Sequence, residues 1–310
     1  MPLRRRIFVP LLSVQLLGML AIVSVLAPVL AQEPAAKRTG EHRAVNTVPV
    51  ELRPAVTRAE FIGRQMYLHD RAAWLATDAM RAEKRMRPLK KRLGGWVTEP
   101  SALGVRVIFF SNDDAPQRLY EIDVDERERL SDPVLESPEP LTADHLAQLR
   151  ARAQAQQQSY LACAQQYNTV VLPAADGIHV YMMPGFVQND VYPLGGYHLY
   201  RFDSSGRDIL SSRKFTNGCL DLDESAAASK KSDDGFEPIG MMFSHLLDPQ
   251  PTEVHVFISL YAKRPFAITT IDNDTLWMIE RGRVGVIDSM ASLKTGHGSS
   301  DASTLPAGAP

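Results

Sequence analysis

The sequence predicts an α+β fold: two amphipathic helices with a small β-hairpin, then a C-terminal antiparallel β-sheet meander. Three observations predict it. Residues 57–87 carry apolar side chains at three- and four-residue spacing behind a capping pattern. Residues 253–262 (EVHVFISLYA) alternate with period two, placing Val254, Val256, Ile258 and Leu260 on one parity. Between and beyond these stretches, short β-branched and aromatic runs are punctuated by Gly, Pro, Asn and Asp.

Residues 1–31 read as an export signal. Arg4, Arg5 and Arg6 precede an apolar run, Ile7 to Ala27, and Val29-Leu30-Ala31 offers a cleavage site before Gln32. The alternative is an uncleaved inner-membrane anchor through residues 7–27, a run about long enough to span a bilayer. Either reading puts the rest of the chain outside the cytoplasm, in the periplasm or secreted. Residues 32–56, rich in Pro, Ala and charge, read as a flexible linker.

Thr57-Arg58-Ala59-Glu60 has the form of a capping box and starts the first helix. Phe61, Leu68, Leu75 and Ala82 recur every seven residues, with Ala72, Ala79 and Met86 filling the stripe and Tyr67 and Trp74 extending it. Pro88 marks its end. From Arg81 to Arg92, seven of twelve residues are Lys or Arg. Such a run suits an anionic surface, but the 11 acids between Asp113 and Asp144 offer neutralising partners nearby, and that is the expectation here. Val105–Ser111 and Arg118–Val124 read as a hairpin closed by Asn112–Pro116, completing a region of residues 57–140.

Residues 141–287 form the second region. Thr142 caps a helix expected to reach Tyr167. Strands are expected at Thr169–Leu172, Ile178–Met183, Tyr197–Phe202 and Ile209–Phe215. Residues 222–238 form a polar excursion, and 239–247 resume as a short apolar run. The meander then runs through residues 253–262, Phe266–Ile271, Thr275–Glu280 and Val284–Ile287. Its turns fall at Lys263–Pro265, Asp272–Asp274 and Gly282. Residues 288–310, rich in Ser, Gly, Ala and Pro, read as a disordered tail.

Composition narrows the function classes. Without the three leader arginines, 31 basic residues face 36 acids, a formal charge of about −5. A nucleic-acid-binding domain would be strongly basic, so none is expected as a partner. Cys163 and Cys219 are the only cysteines, and in an oxidising compartment they pair as a disulfide; the alternative is two buried thiols. The spacing C-x-x-C is absent, which excludes the usual redox motif.

Chemistry is sparsely signalled. His245, Asp248, Glu253 and His255 lie within eleven residues, a donor set that suits zinc if a turn at Pro249–Pro251 brings the flanking segments together. The alternative is two hydrogen-bonded histidines beside that turn. The patterns H-E-x-x-H, G-x-S-x-G and G-x-G-x-x-G do not occur, so no catalytic residue is assigned. Two functions follow: a non-catalytic envelope module binding another protein, or a metal-dependent hydrolase on the His245–His255 turn.

The segments YNTVVLP (167–173), VYPLGGYHLYRFD (191–203), FTNGCL (215–220) and HLLDPQPTEVHVFISL (245–260) resemble secreted proteobacterial proteins with no assigned function, a likeness covering roughly residues 95–285. The resemblance implies export and supplies no mechanism.

Overall fold

The structure, a computed structural model, describes residues 47–134, 139–186, 188–223, 242–262 and 265–289. The export signal, the alternative anchor at residues 7–27, residues 32–46 of the expected linker, most of the polar excursion and the tail from residue 290 lie outside the described residues. Among the described residues no helix is long and apolar enough to cross a membrane. The α+β class holds, with mostly antiparallel sheets.

Helix α1 spans Arg53–Ala82, so it begins inside the stretch expected as linker. Pro54 sits in its first turn, where a missing N–H costs nothing and the fixed φ favours the helix. Thr57 and Glu60 therefore lie within the helix and are not its cap. Glu60 instead accepts a hydrogen bond from the Val284 backbone N–H at 2.8 Å. The buried face of α1 follows the expected stripe only in part, with Ala72 buried and Leu68, Leu75 and Ala79 packed on the same core. Val56, Ala59, Gly63 and Met66 are buried in its first half, and Ala72, Ala76 and Met80 in its second. Phe61 is 64% exposed and Trp74 55%. After Ala82 the chain tightens into a 3-10 segment, Lys84–Arg92, with Pro88 inside it.

Strands β1 (Leu93–Pro100), β2 (Gly104–Ser111) and β3 (Arg118–Asp125) form an antiparallel sheet in the order β1-β2-β3. The expected hairpin is β2–β3; β1 adds a third strand. Helix α2 spans Ala143–Gln156, capped by Thr142 as expected but ending well short of Tyr167. Beyond it the Tyr167 hydroxyl accepts from the Cys163 N–H at 2.9 Å, a bond that helical backbone would have made internally. Cys163 and Cys219 are joined by a disulfide across 56 residues, with Cα atoms 5.3 Å apart. The bridge suits an oxidising compartment.

A second sheet orders β4 (Tyr167–Ala174), β5 (Gly177–Pro184), β7 (His198–Phe202) and β8 (Ile209–Lys214), all antiparallel. Two short strands, β6 (Val191–Pro193) and β9 (Asp221–Asp223), pair separately.

The C-terminal part holds the largest departure from expectation. Residues 253–261, read as a strand, form helix α3 (Glu253–Tyr261). Both parities are buried, since Val254, Val256 and Ile258 are as enclosed as His255, Phe257 and Ser259. A helix apolar all round belongs inside a core, and over nine residues its sequence cannot be told from a buried strand. α3 connects β10 (Met242–His245) to β11 (Phe266–Thr270), which pair in parallel, and a parallel pair needs such a crossover. Of the expected C-terminal meander, β11, β12 (Thr275–Glu280) and β13 (Arg283–Ser289) are the strands that pair antiparallel in sequence order. Arg281 and Gly282 both have positive φ at the β12–β13 turn, the requirement of a tight hairpin that glycine meets without strain.

α3 packs directly on α1. A Cβ at Gly63 would stand 2.6 Å from the Glu253 carbonyl oxygen and from Val256 Cβ, so only glycine allows this approach. The main core joins the first half of α1, α3, and the inner faces of the second and third sheets around Trp277, Tyr181 and Phe257. The second half of α1 packs on β2 and β3 through Ala72, Ala76 and Met80.

Candidate functional site

The four residues singled out from the sequence lie where β10 leads into α3. β10 ends at His245, and its last backbone carbonyl accepts from the Ile271 N–H at 3.2 Å. The link that follows brings Asp248 back, so that His245 Nε2 and Asp248 Oδ2 are 2.9 Å apart. From β8, the Arg213 guanidinium donates to both Asp248 oxygens at 2.8 and 2.7 Å. The His245 and His255 rings meet edge to face with centroids 4.8 Å apart.

His255 stands at the third position of α3. Its Nδ1 accepts the Thr252 backbone N–H at 2.9 Å, closing one otherwise unpaired donor at the helix start. The Thr252 hydroxyl lies 3.1 Å from the same nitrogen. A proton on Nδ1 would break this arrangement. Burial, reinforced by His245 and Arg213, holds the His255 imidazole well below the usual histidine range. Burial pushes the Asp248 carboxyl upward, but the His245 bond and the Arg213 charge outweigh it, and the group stays ionised to lower pH than usual.

Glu253 takes a different direction. It is buried and its carboxylate accepts from the Tyr181 hydroxyl on β5 at 3.3 Å. Successive helical residues turn by about 100°, so Glu253 and His255 leave α3 on different sides. The sequence had them on one face of a strand; the helix separates them.

Three of the four expected donors therefore meet, and each is committed elsewhere. Both Asp248 oxygens face a guanidinium, His245 Nε2 faces Asp248, and His255 Nδ1 holds the backbone. A cation entering here would have to displace Arg213 and its charge. Among the described residues no group of three or more His, Cys, Asp or Glu side chains is placed to hold a metal. What the cluster does achieve is mechanical: it ties β8, β10 and the start of α3 at one point. Arg213 and Thr252 are the members that the sequence reading missed. Arg213 is 35 residues from Asp248 in the chain and carries no local signal. Thr252 was legible, as the first residue of a Thr-x-x-His capping pattern.

The link held by this lock carries apolar side chains outward. Leu246 is 63% exposed and Leu247 40%. Ile271, bonded through its backbone to His245, is 51% exposed.

At the other end of α3 the Tyr261 hydroxyl donates to Asp70 Oδ2 at 2.6 Å, tying α3 to the middle of α1. Burial raises the Asp70 carboxyl above its ordinary range despite this bond.

Comparison of the chain with family models, with curated proteins and with solved structures gives no match in any of the three.

Proposed function

We propose that this chain is an exported envelope protein, of the kind its segments resemble among secreted proteobacterial proteins, and that it acts as a non-catalytic module binding another protein. The observation that carries this reading is the apolar rim of Leu246, Leu247 and Ile271. Adjoining exposed aliphatic side chains are unfavourable in water unless a partner covers them. The Arg213–Asp248–His245 lock holds that rim in place before any partner arrives, which lowers the ordering cost of binding. The disulfide supports a compartment outside the cytoplasm.

A photo-crosslinking side chain at Leu247 tests it in cells. One discrete adduct with an envelope protein is expected, and it should vanish when Leu246 and Ile271 are changed to Ser. Adducts that persist in that variant, or a lack of any adduct, would remove the reading. The alternative, a zinc hydrolase on His245, Asp248, Glu253 and His255, is supported only by the meeting of three of those groups. Stoichiometric zinc in the purified protein, lost when both histidines become Ala, would put it in first place.

A further inference from the structure

We infer that the 3-10 segment Lys84–Arg92 docks the protein on an anionic phospholipid surface. The inference concerns a different element from the apolar rim and stands independently of it. Six of the nine residues in the segment are Lys or Arg, and all six are exposed. The segment is not loose. Met86 is buried in the core beneath it, and Leu89 packs against the same cluster, so the cations project from a fixed base.

The expected neutralisation by the acidic stretch is not what the structure builds. Among the described residues, only Asp113 of that stretch pairs with the segment, through Arg92 at 2.7 Å. The other acids serve their own neighbours: Glu121 pairs Arg118, Asp123 pairs Arg106, Asp125 pairs Arg129, and Glu128 pairs Arg71. Arg85 folds back on Glu83. Lys84, Arg87, Lys90 and Lys91 are left exposed with no ion pair among the described residues. A chain of net negative charge has thus gathered four unneutralised cations at one place.

Two features favour a lipid surface over an acidic protein. Three of the four free cations are lysines, a residue depleted from protein interfaces but well suited to phosphate headgroups. Trp74 is exposed ten residues upstream, about 12 Å before the end of α1, with the Arg71 guanidinium 4.4 Å from its ring centre. Trp74, Asp78 and Arg81 follow at helical spacing, so the indole shares the side of α1 that carries Arg81 toward the segment. An amphipathic indole beside basic residues is the composition of a membrane-interface contact.

The test is flotation of the full chain with vesicles of phosphatidylcholine alone or enriched in phosphatidylglycerol, at low salt and at about 0.15 M salt. The leader, if retained, would insert into both vesicle types and its three arginines would add a preference of their own, so the readout is the change in preference between the parent and each variant. Preferential binding to the phosphatidylglycerol vesicles, weakened by salt, is expected. Changing Lys84, Arg87, Lys90 and Lys91 to Gln should reduce that preference about a hundred-fold or more, each exposed cation contributing several-fold. A control variant, with Arg58, Arg127, Arg207 and Arg281 changed to Gln, makes the same change in net charge and should keep it. Equal binding to both vesicle types, or loss of the preference in the control as well, overturns the inference. Circular dichroism of both variants confirms that the fold is intact.

Discussion

Helix α2 starts at Thr142 and helix α3 at Thr252, and in each a histidine three residues later stands where a capping box usually has Glu or Gln. His145 Nδ1 lies 3.4 Å from the Thr142 N–H, and His255 Nδ1 lies 2.9 Å from the Thr252 N–H. The Thr142 hydroxyl completes the first box by accepting the His145 N–H at 3.2 Å. The second ring nitrogen separates the two helices. His145 Nε2 faces the Glu99 carboxylate of β1 at 2.9 Å, and Glu99 is partly exposed. The His255 ring faces His245 and the charge of Arg213 in a closed core. One capping pattern is thus set beside a carboxylate in α2 and beside a second imidazole and a guanidinium in α3. The two caps share one pattern, and for His255 the closed surroundings also set its acid behaviour.

The two helices also differ in how their ends are restrained, and this gives the largest expected effect. The chain leaving α2 is tied by Cys163–Cys219, whereas α3 is held by packing and by the Tyr261–Asp70 bond. Opening a 56-residue loop should remove about 4 kcal/mol of stability in the chain-entropy description. The urea midpoint should therefore fall on reduction. Amide exchange should rise around residues 157–166 and 215–220, while α3 stays protected. Equal midpoints with and without reductant would mean that the α2 side is not held by its covalent tie.

The next effect separates the histidines by pH. A histidine in an unfolded chain titrates near about 6.5. His255 sits well below that, chiefly through burial. His69, buried in α1 with Nδ1 2.8 Å from Thr98 Oγ1, is lowered by burial to about 4. As pH falls from about 6.5 toward 4, the unfolded chain takes up protons that the folded chain refuses, so stability present above pH 6.5 is lost across this window. His69 alone accounts for about 3 kcal/mol at the acid end. Asp70 works in the opposite sense, because its raised carboxyl binds a proton in the folded state first. Urea midpoints measured across this window should fall steeply for the parent and less for His69→Gln, which keeps a hydrogen-bonding group and removes the titration. An unchanged slope in that variant would show that His69 is not the group responsible.

These effects depend on contacts that the sequence revealed unevenly. Hairpins such as β2–β3 and β11–β13 were legible because their strands adjoin in the chain and their turns carry Asn, Asp or Gly. β1 was not, since Gly94, Gly95 and Pro100 disguise a strand that exists through pairing with β2. α1 was found, but its buried side was read only in part: of the expected stripe, Leu68, Ala72, Leu75, Ala79 and Met86 do join the core, whereas Phe61 and Trp74 face outward. The helix packs on α3 with one side and on β2–β3 with another, so no single stripe describes it. α3 was misassigned because full burial removes the polar face that would have shown its period. In the candidate site, the approach of His245 to His255 was legible from their nearness in sequence. The role of Arg213 was set by sheet pairing that no local pattern encodes.

The smallest effect returns to the paired caps. His255→Ala removes a fully enclosed ring, leaves the Thr252 N–H without its acceptor, and should cost about 3 kcal/mol, part cavity and part cap. His145→Ala removes the same kind of acceptor at 3.4 Å, next to a carboxylate that water can reach once the ring is gone. His145 is itself only 2% exposed, but water entering beside Glu99 fills part of the space left, so the expected cost is smaller, about 2 kcal/mol, part cavity and part cap. Equilibrium unfolding of the two single variants measures the difference directly. If His145→Ala proved as damaging as His255→Ala, the bond from His145 Nε2 to Glu99 would be the stronger restraint. Glu99→Ala, which removes the acceptor for that nitrogen, would then have to reproduce most of the loss.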